Sequence, residues 1–212
     1  MTNFIPIFPL GIVVYPGESL NLHIFEARYK QLITECYKEK KFFGIPTVIE
    51  NHLQDYGTSM EITELTKMYD DGEMDIRTKG SKIFRILEVI REVPEKLYSG
   101  AIVNYPETHE EGNPALMRKV MNSISELHKL LRVSKDFQKK GEELRVYDVA
   151  HHIGLSLEEE YELLNLLDER QRQEYLKRHL TKVIPLLGEM ESLKEKIKLN
   201  GHFKNLPGLG FE

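Results

Sequence analysis

The chain has 212 residues, of which 41% are hydrophobic and 30% charged, with a net charge of −5 and a pI near 6.0. That supplies enough apolar material for one large domain or two small ones and excludes wholesale disorder. Cutting after Pro106 leaves 12 basic and 15 acidic residues before the cut and 17 and 19 after it, so neither half has the basic excess that binding to a phosphate backbone draws on.

The opening stretch "MTNFIPIFPLGIVV" is apolar, but the first basic residue is Arg28, and Pro6 and Pro9 interrupt the run. A secretory signal needs a basic start ahead of an unbroken apolar segment, so none is expected. No apolar run approaches the roughly 20 residues that cross a bilayer. A cytoplasmic protein without a membrane partner is expected. Up to Pro106 the chain is a series of short segments rich in Val, Ile, Phe and Tyr. "IPIF", "IVVY", "SLNLHI", "FFGIPTVI", "TSMEITELTKMY", "MDIRTKG", "SKIFRILEVI" and "YSGAIVNY" read as strands. Pro16-Gly17 in "YPGES" and Gly72 in "YDDGEMD" suit tight turns, and Gly57, Gly80 and Gly100 punctuate the rest. So many short strands predict a small closed or nearly closed barrel.

One helix interrupts the strands. Phe25, Tyr29, Leu32, Ile33 and Cys36 recur at helical spacing, with Lys30, Gln31, Glu35 and Lys38 between them. The period changes from two to about three and a half inside "HIFE", which marks a strand–turn–helix junction. After "PETHEEG" the pattern is helical throughout. Asn113 is placed to cap a helix that opens on Pro114 and carries Leu116, Val120, Ile124, Leu127 and Leu131. Val146, Val149, Ala150 and Ile153 suggest a short second helix stopped by Gly154. "SLEE" from Ser156 is a capping box for a third, through Leu167. "DERQ" from Asp168 opens a fourth, whose Leu176, Leu180, Val183, Leu187, Met190 and Ile197 follow a heptad-like spacing. Pro185 inside that helix predicts a kink or restart near Ile184. The apolar tail "HFKNLPGLGF" is expected to fold back over the end of the stripe, with dimerisation as the alternative cover.

The fold class is therefore α+β: a small β-barrel with one interrupting helix over residues 1–110, an all-helical bundle over 111–200, and a tail over 201–212. Sites of chemistry are scarce. Cys36 is the only cysteine, so an intrachain disulfide and a cysteine metal cluster are both excluded. His151 and His152 are adjacent and lack the i, i+4 geometry of a helical metal pair. "DDGEMD" lacks the ligand spacing of a calcium loop. The chain has no phosphate-cradling glycine loop and no nucleophile elbow. "GLGF" at its end is similar to the carboxylate-binding loop of PDZ domains but has no strand or groove helix after it. No cofactor is expected. Glu26, at the start of the first helix, and Arg28 are the sharpest candidates for a site. Their competing role is structural, with Arg28 clamping helix to barrel through a partly buried ion pair.

The stretch "IPIFPLGIVVYPGESLNLHIFEARYKQLI" resembles the N-terminal, substrate-binding domain of the ATP-dependent Lon protease, especially its standalone forms. The likeness continues through "FFGIP", "GTSMEITE", "DGEMDIRTKGSKIFRIL" and "YSGAIVNYPE" and, more loosely, through "LSLEEEYELLNLLDERQRQEYLKRHL". The resemblance implies a PUA-like β-barrel followed by a helical bundle, and a role in capturing polypeptides or mediating protein contacts. The ATPase and Ser-Lys protease domains of that family lie beyond the part that resembles this chain, so no catalytic activity carries over.

The leading expectation is a non-catalytic polypeptide-binding or protein-interaction module, an adaptor in protein quality control. Its partners are unfolded or extended polypeptides or one protein partner, with monomer and dimer both open. An apolar groove or an open barrel edge would serve. Phe42, Tyr56, Tyr69 and Tyr98 are candidates to line it beside Glu26 and Arg28, with a place in the barrel core as the alternative for each aromatic. A PUA-like RNA-binding protein is the second reading, on Arg77, Lys79, Lys82 and Arg85, although net acidity argues against nucleic acid. An unrecognised hydrolase is the third, and no constellation supports it.

Overall fold

Two strands of 17 residues each, β4 (His52–Met68) and β5 (Met74–Ile90), form the hairpin on which the sheet is assembled. The structure is a computed structural model that describes residues 3–135, 137 and 143–203. One edge of β5 carries β4. The other edge is shared: β2 (Ser19–Ile24) pairs with Met74–Lys79, and β6 (Gly100–Asn104) pairs with Arg85–Ile90, both antiparallel. β1 (Asn3–Pro6) adds to β6 and β3 (Phe43–Ile49) to β4, which gives the order β1-β6-β5-β4-β3. The chain leaving β1 then meets β3. The Phe8 amide donates to the Gly44 carbonyl at 2.8 Å, Leu10 to Pro46 at 3.2 Å, and Val48 back to Leu10 at 2.8 Å. These bonds join the two ends of the sheet, as the strand-rich sequence predicts.

Two segments depart from the expected strands for definable reasons. "MDIRTKG" and "SKIFRILEVI" are one strand, because Gly80 is not a turn. It sits where the Tyr15 carbonyl crosses the sheet, and a Cβ there would lie 2.4 Å from that oxygen. Gly57 likewise lies inside β4, with the Ile45 carbonyl 2.4 Å from a built Cβ. "IVVY" is not a strand. Val13 and Tyr15 are buried in a cluster with the helices, whereas Val14 is buried in the barrel cluster around the first helix. A connection that buries successive side chains in two cores gives the apolar run of a strand without its pairing.

Helix α1 (Ala27–Glu39) buries Tyr29, Leu32, Ile33 and Cys36 against the barrel, as its spacing predicts. Phe25 lies before the helix and is exposed. Helix α2 (Pro114–Leu131) opens as expected, with Asn113 Oδ1 accepting from the amides of Ala115 and Leu116. The expected second helix is instead two short 3-10 turns, Val146–Asp148 and Ala150–His152. The Ser156 capping box forms in full and starts α3, which spans Leu157–Leu164. Asp168 Oδ1 accepts from the amides of Arg170 and Gln171 and so starts α4 (Glu169–Phe203). α4 continues past Pro185 as one helix, so the restart expected at Ile184 does not occur. Pro185 and Thr181 are both exposed, which leaves water to satisfy the Thr181 carbonyl that the proline cannot reach. Residues 204–212, and with them the expected fold-back of the tail, lie outside the described residues.

The helical core of Val120, Ile124, Leu127, Val146, Leu163, Leu176 and Leu180 also takes in Val13, Tyr15 and Ile83 from the sheet side. Below it, Arg172 is fully buried between Glu169, Glu110 and the ring of Tyr147. No helix among the described residues is long and apolar enough to cross a membrane.

Candidate functional site

The side of β1 that faces away from β6 is open at Phe4 and meets β3 from Pro6 onward, through the parallel bridge between Ile7 and Gly44. The Ile7 amide donates to the Ser99 carbonyl at 3.0 Å. By the alternation of antiparallel ladders, Ile5 and Asn3 therefore face β6, whereas Phe4 and Pro6 turn their backbone groups outward. Pro6 has no amide to offer on that side, which is why proline is tolerated there. Ile5 points into the barrel and is 2% exposed. Phe4 is 48% exposed, its ring lying over the bare face of Gly100.

A groove of about 460 Å³ opens beside this edge. Its walls are Phe4, Ile5 and Pro6 of β1, Glu35, Cys36 and Glu39 of α1, Lys41 and Phe42 ahead of β3, Val93, Lys96 and Tyr98 before β6, and Tyr105 after it. Phe42 is 43% exposed on the rim. The charges in the groove are matched. The Lys96 ammonium lies 2.9 Å from Glu35, and Lys41 lies 2.5 Å from Glu39. The Tyr98 hydroxyl donates to Glu35 Oε2 at 2.5 Å, and Gln31 donates to Oε1 at 3.0 Å. Partial burial opposes ionisation of Glu35, but these donors outweigh it and hold its carboxyl below the usual range. Burial pushes the Cys36 thiol up to about 12, so it stays protonated and unreactive at neutral pH. An apolar groove with internally paired charges is suited to holding an apolar side chain, not to acid–base or nucleophilic chemistry.

Of the six candidate residues named from sequence, the structure brings Phe42 and Tyr98 to this groove. Tyr98 is not exposed: it is 6% accessible and forms part of the wall through its bond to Glu35. Tyr56 is half-buried at the joint between sheet and helices, where its amide donates to the Tyr161 hydroxyl at 3.1 Å. Tyr69 is at the tip of the β4–β5 hairpin, bonded to Asp75 at 2.8 Å with the Lys67 ammonium 4.1 Å above its ring. Glu26 and Arg28 do not line the groove. They pair with each other at 2.8 Å in solvent, and the guanidinium also lies 4.5 Å from the centre of the Tyr29 ring. The expected partly buried clamp from Arg28 to the barrel is thus a local, exposed pair. Phe4, Glu35, Lys96 and Tyr105 were not singled out from sequence. The available signal was Pro6 inside the strand "FIPIF", which marks an edge.

A larger cleft of about 760 Å³ lies between residues 11–19 and the helical elements. There the His151 ring bridges Glu160 Oε1 at 2.7 Å and Glu18 Oε2 at 3.1 Å and packs against Tyr15. Burial works against the imidazolium, but the two carboxylates prevail and push its pKa up to about 9. Glu18, His151 and Glu160 thus bond to one another across the joint between the barrel side and the helices.

Residues 5–182 match the family described as the ATP-dependent protease La (LON) substrate-binding domain. The chain belongs to that family. Its fold is similar to the crystal structure of a Lon N-terminal domain protein from Xanthomonas campestris, with 24% identity, a TM-score of 0.62, and coverage of 83% of this chain and 98% of that one. It is also similar to the N-terminal domain of the Mycobacterium avium complex Lon protease, with 14% identity, a TM-score of 0.61, and coverage of 84% and 98%. No curated protein matches the chain. Except for Phe4, the residues that line the β1 groove lie within the part matched to the Lon substrate-binding family, whereas α4 beyond Lys182 lies outside it.

Proposed function

We propose that this chain is a non-catalytic polypeptide-binding module that captures extended segments along the open side of β1. The observation that carries the reading is the outward-facing backbone of Phe4 beside a groove rimmed by Phe4 and Phe42 whose charges are internally paired. A peptide laid along this edge would bond to the Phe4 amide and carbonyl. Alternate side chains would enter the groove between Phe4 and Phe42. Backbone bonds do not depend on side-chain identity, so many unfolded sequences are accepted. Membership of a substrate-binding family supports this use, and an adaptor role in protein quality control in the cytoplasm is part of the same proposal. Monomer and dimer both suit the groove, which is formed within one chain.

The RNA reading is less well supported. Arg77 is paired with Glu64 at 2.7 Å, and Arg85 lies 3.9 Å from Asp55. Two of the four basic residues expected to face RNA thus carry acidic neighbours, which weakens any phosphate footprint. The decisive experiment is fluorescence anisotropy with a labelled, permanently unfolded protein. Saturable binding is expected, competed by other unfolded chains and not by RNA. Phe4→Ser and Phe42→Ser together are expected to weaken it about tenfold, as the loss of two aromatic anchors would, with only a modest drop in the melting temperature because each ring is already about half-exposed. Binding that is absent, or indifferent to both substitutions, overturns the assignment.

A further inference from the structure

Toward its end α4 carries an apolar face that nothing among the described residues covers. Leu186, Met190, Leu193 and Ile197 are each between 56% and 62% exposed. Their 4-3-4 spacing places them on one stripe, with Leu186 and Leu193 at d positions and Met190 and Ile197 at a positions of a heptad. This stripe shares Met190 and Ile197 with the seam that packs on the core but takes Leu186 and Leu193 on its other side, in place of Leu187 and Lys194. Leu176 and Leu180 are buried and Val183 and Leu187 pack beside them, but the seam then runs through the exposed Met190 to Lys194. The apolar face has moved round the helix by one residue, away from the body.

We propose that this face pairs with the same face of a second copy of the chain, in antiparallel orientation. The charges that flank it set the partner and the direction. Glu189 and Lys196 occupy successive g positions, and an antiparallel pair sets each g position against the partner's g position. Glu189 of one copy then meets Lys196 of the other, twice by the two-fold symmetry. Among the described residues neither has an ion-pair partner in its own chain. The flank that carries them is open: Gly188 has nothing within 4 Å of a built Cβ, and with Ser192 it lines a shallow groove beside Leu193. A parallel pair would instead set Glu189 against Lys194, which already lies 3.5 Å from Glu191 of its own helix. It would also bring the two bodies together at the end where Arg132 of the α2 cap bonds Glu191 at 2.9 Å. The antiparallel arrangement places the bodies at opposite ends. The stripe spans about 17 Å at the helical rise, so association is weak and concentration-dependent. It lies beyond the segment matched to the family, so the pairing is a property of this chain's own extension.

Sedimentation velocity of the full chain, from micromolar to submillimolar concentration, tests the proposal. A monomer–dimer equilibrium is expected. Leu193→Glu is expected to leave a monomer with an unchanged melting curve, because that side chain is exposed. Glu189→Lys and Lys196→Glu are each expected to weaken dimerisation about tenfold, since each sets like charges opposite one another. Combining the two is expected to restore it. A monomer at every concentration overturns the proposal, as does a dimer indifferent to Leu193→Glu. Rescue of Glu189→Lys by Lys194→Glu, with none by Lys196→Glu, overturns the antiparallel orientation.

Discussion

Glu169 and Arg172, one turn apart at the start of α4, form an ion pair at 2.9 Å in which neither side chain reaches solvent. The pair is bonded on every side. Glu169 Oε1 accepts from the Val146 amide at 2.9 Å. The guanidinium donates to the Leu166 carbonyl at 3.1 Å, to the Tyr147 hydroxyl at 3.2 Å and to Glu110 at 2.7 Å. One arginine of α4 thus joins the segment after the barrel, a 3-10 turn and the connection between α3 and α4.

Arg172→Met is expected to destabilise the protein by about 3–5 kcal/mol, because it strands the Glu169 carboxylate without its counter-charge. Burial already raises the Glu169 pKa against the pull of Arg172, so the stranded group would take up a proton or unfold the joint. The urea midpoint checks this. Replacing Glu169→Gln and Arg172→Met together is expected to recover part of the loss, and a single Arg172→Met variant as stable as the parent would refute the role.

His151 makes the joint sensitive to alkali. Glu160 and Glu18 face its two ring nitrogens, Tyr15 packs on the ring, and its pKa stands at about 9. The folded value lies above the unfolded one, so the stabilisation is fully present below pH ~6.5 and is lost as pH rises through about 9. It amounts to at most about 3 kcal/mol, from the size of the shift. Urea midpoints measured across that window are expected to fall for the parent. They should fall much less for His151→Gln, and equal slopes would remove His151 as the cause.

The parts of the fold that were legible in the sequence are those with local causes. The Asn113-Pro114 helix start, the Ser156 capping box and the Asp168 start each depend on residues within one turn. The α1 stripe needs only its own period. What was illegible depends on contacts between distant segments. Gly57 and Gly80 read as turns, because a sequence does not show that the Ile45 and Tyr15 carbonyls pass over them. The alternating burial of Val13, Val14 and Tyr15 between two cores mimics a strand. The groove draws Phe4, Glu35, Phe42, Lys96 and Tyr105 from five separate places. Nothing local separates the exposed Phe42 from the buried Tyr98.

Arg28→Ala is expected to change stability little, by about 0–1 kcal/mol, as for other exposed ion pairs. Its side chain is 53% exposed and its partner Glu26 sits two residues away, so no distant element loses an ion pair. Thermal melting at low and high salt checks this. A drop of several degrees would show that its place over the Tyr29 ring, which itself stacks on Phe8 at 3.8 Å, holds α1 to the barrel.

Pro185 is the clearest local conflict left in the fold. A proline inside a helix forfeits one hydrogen bond and crowds the preceding turn, at a cost of about 3 kcal/mol relative to alanine. Here the helix continues regardless, because contacts on both sides fix its path. Val183 and Ile184 pack on the helical core before the proline. Leu187 packs on it after, and Arg132 then bonds Glu191 at 2.9 Å. The proline ring itself is exposed, so replacing it removes little packing. Pro185→Ala is therefore expected to raise the thermal midpoint and the far-ultraviolet helix signal together, with a gain of about 1–3 kcal/mol. The gain should appear in global stability, because Leu187 and Glu191 couple the distal turns to the body. A raised helix signal with an unchanged midpoint would show that the distal turns melt independently of the core. A lowered midpoint would mean that the proline sets a bend that the seating of Leu187 requires, and the helix would then be shaped by its proline instead of in spite of it.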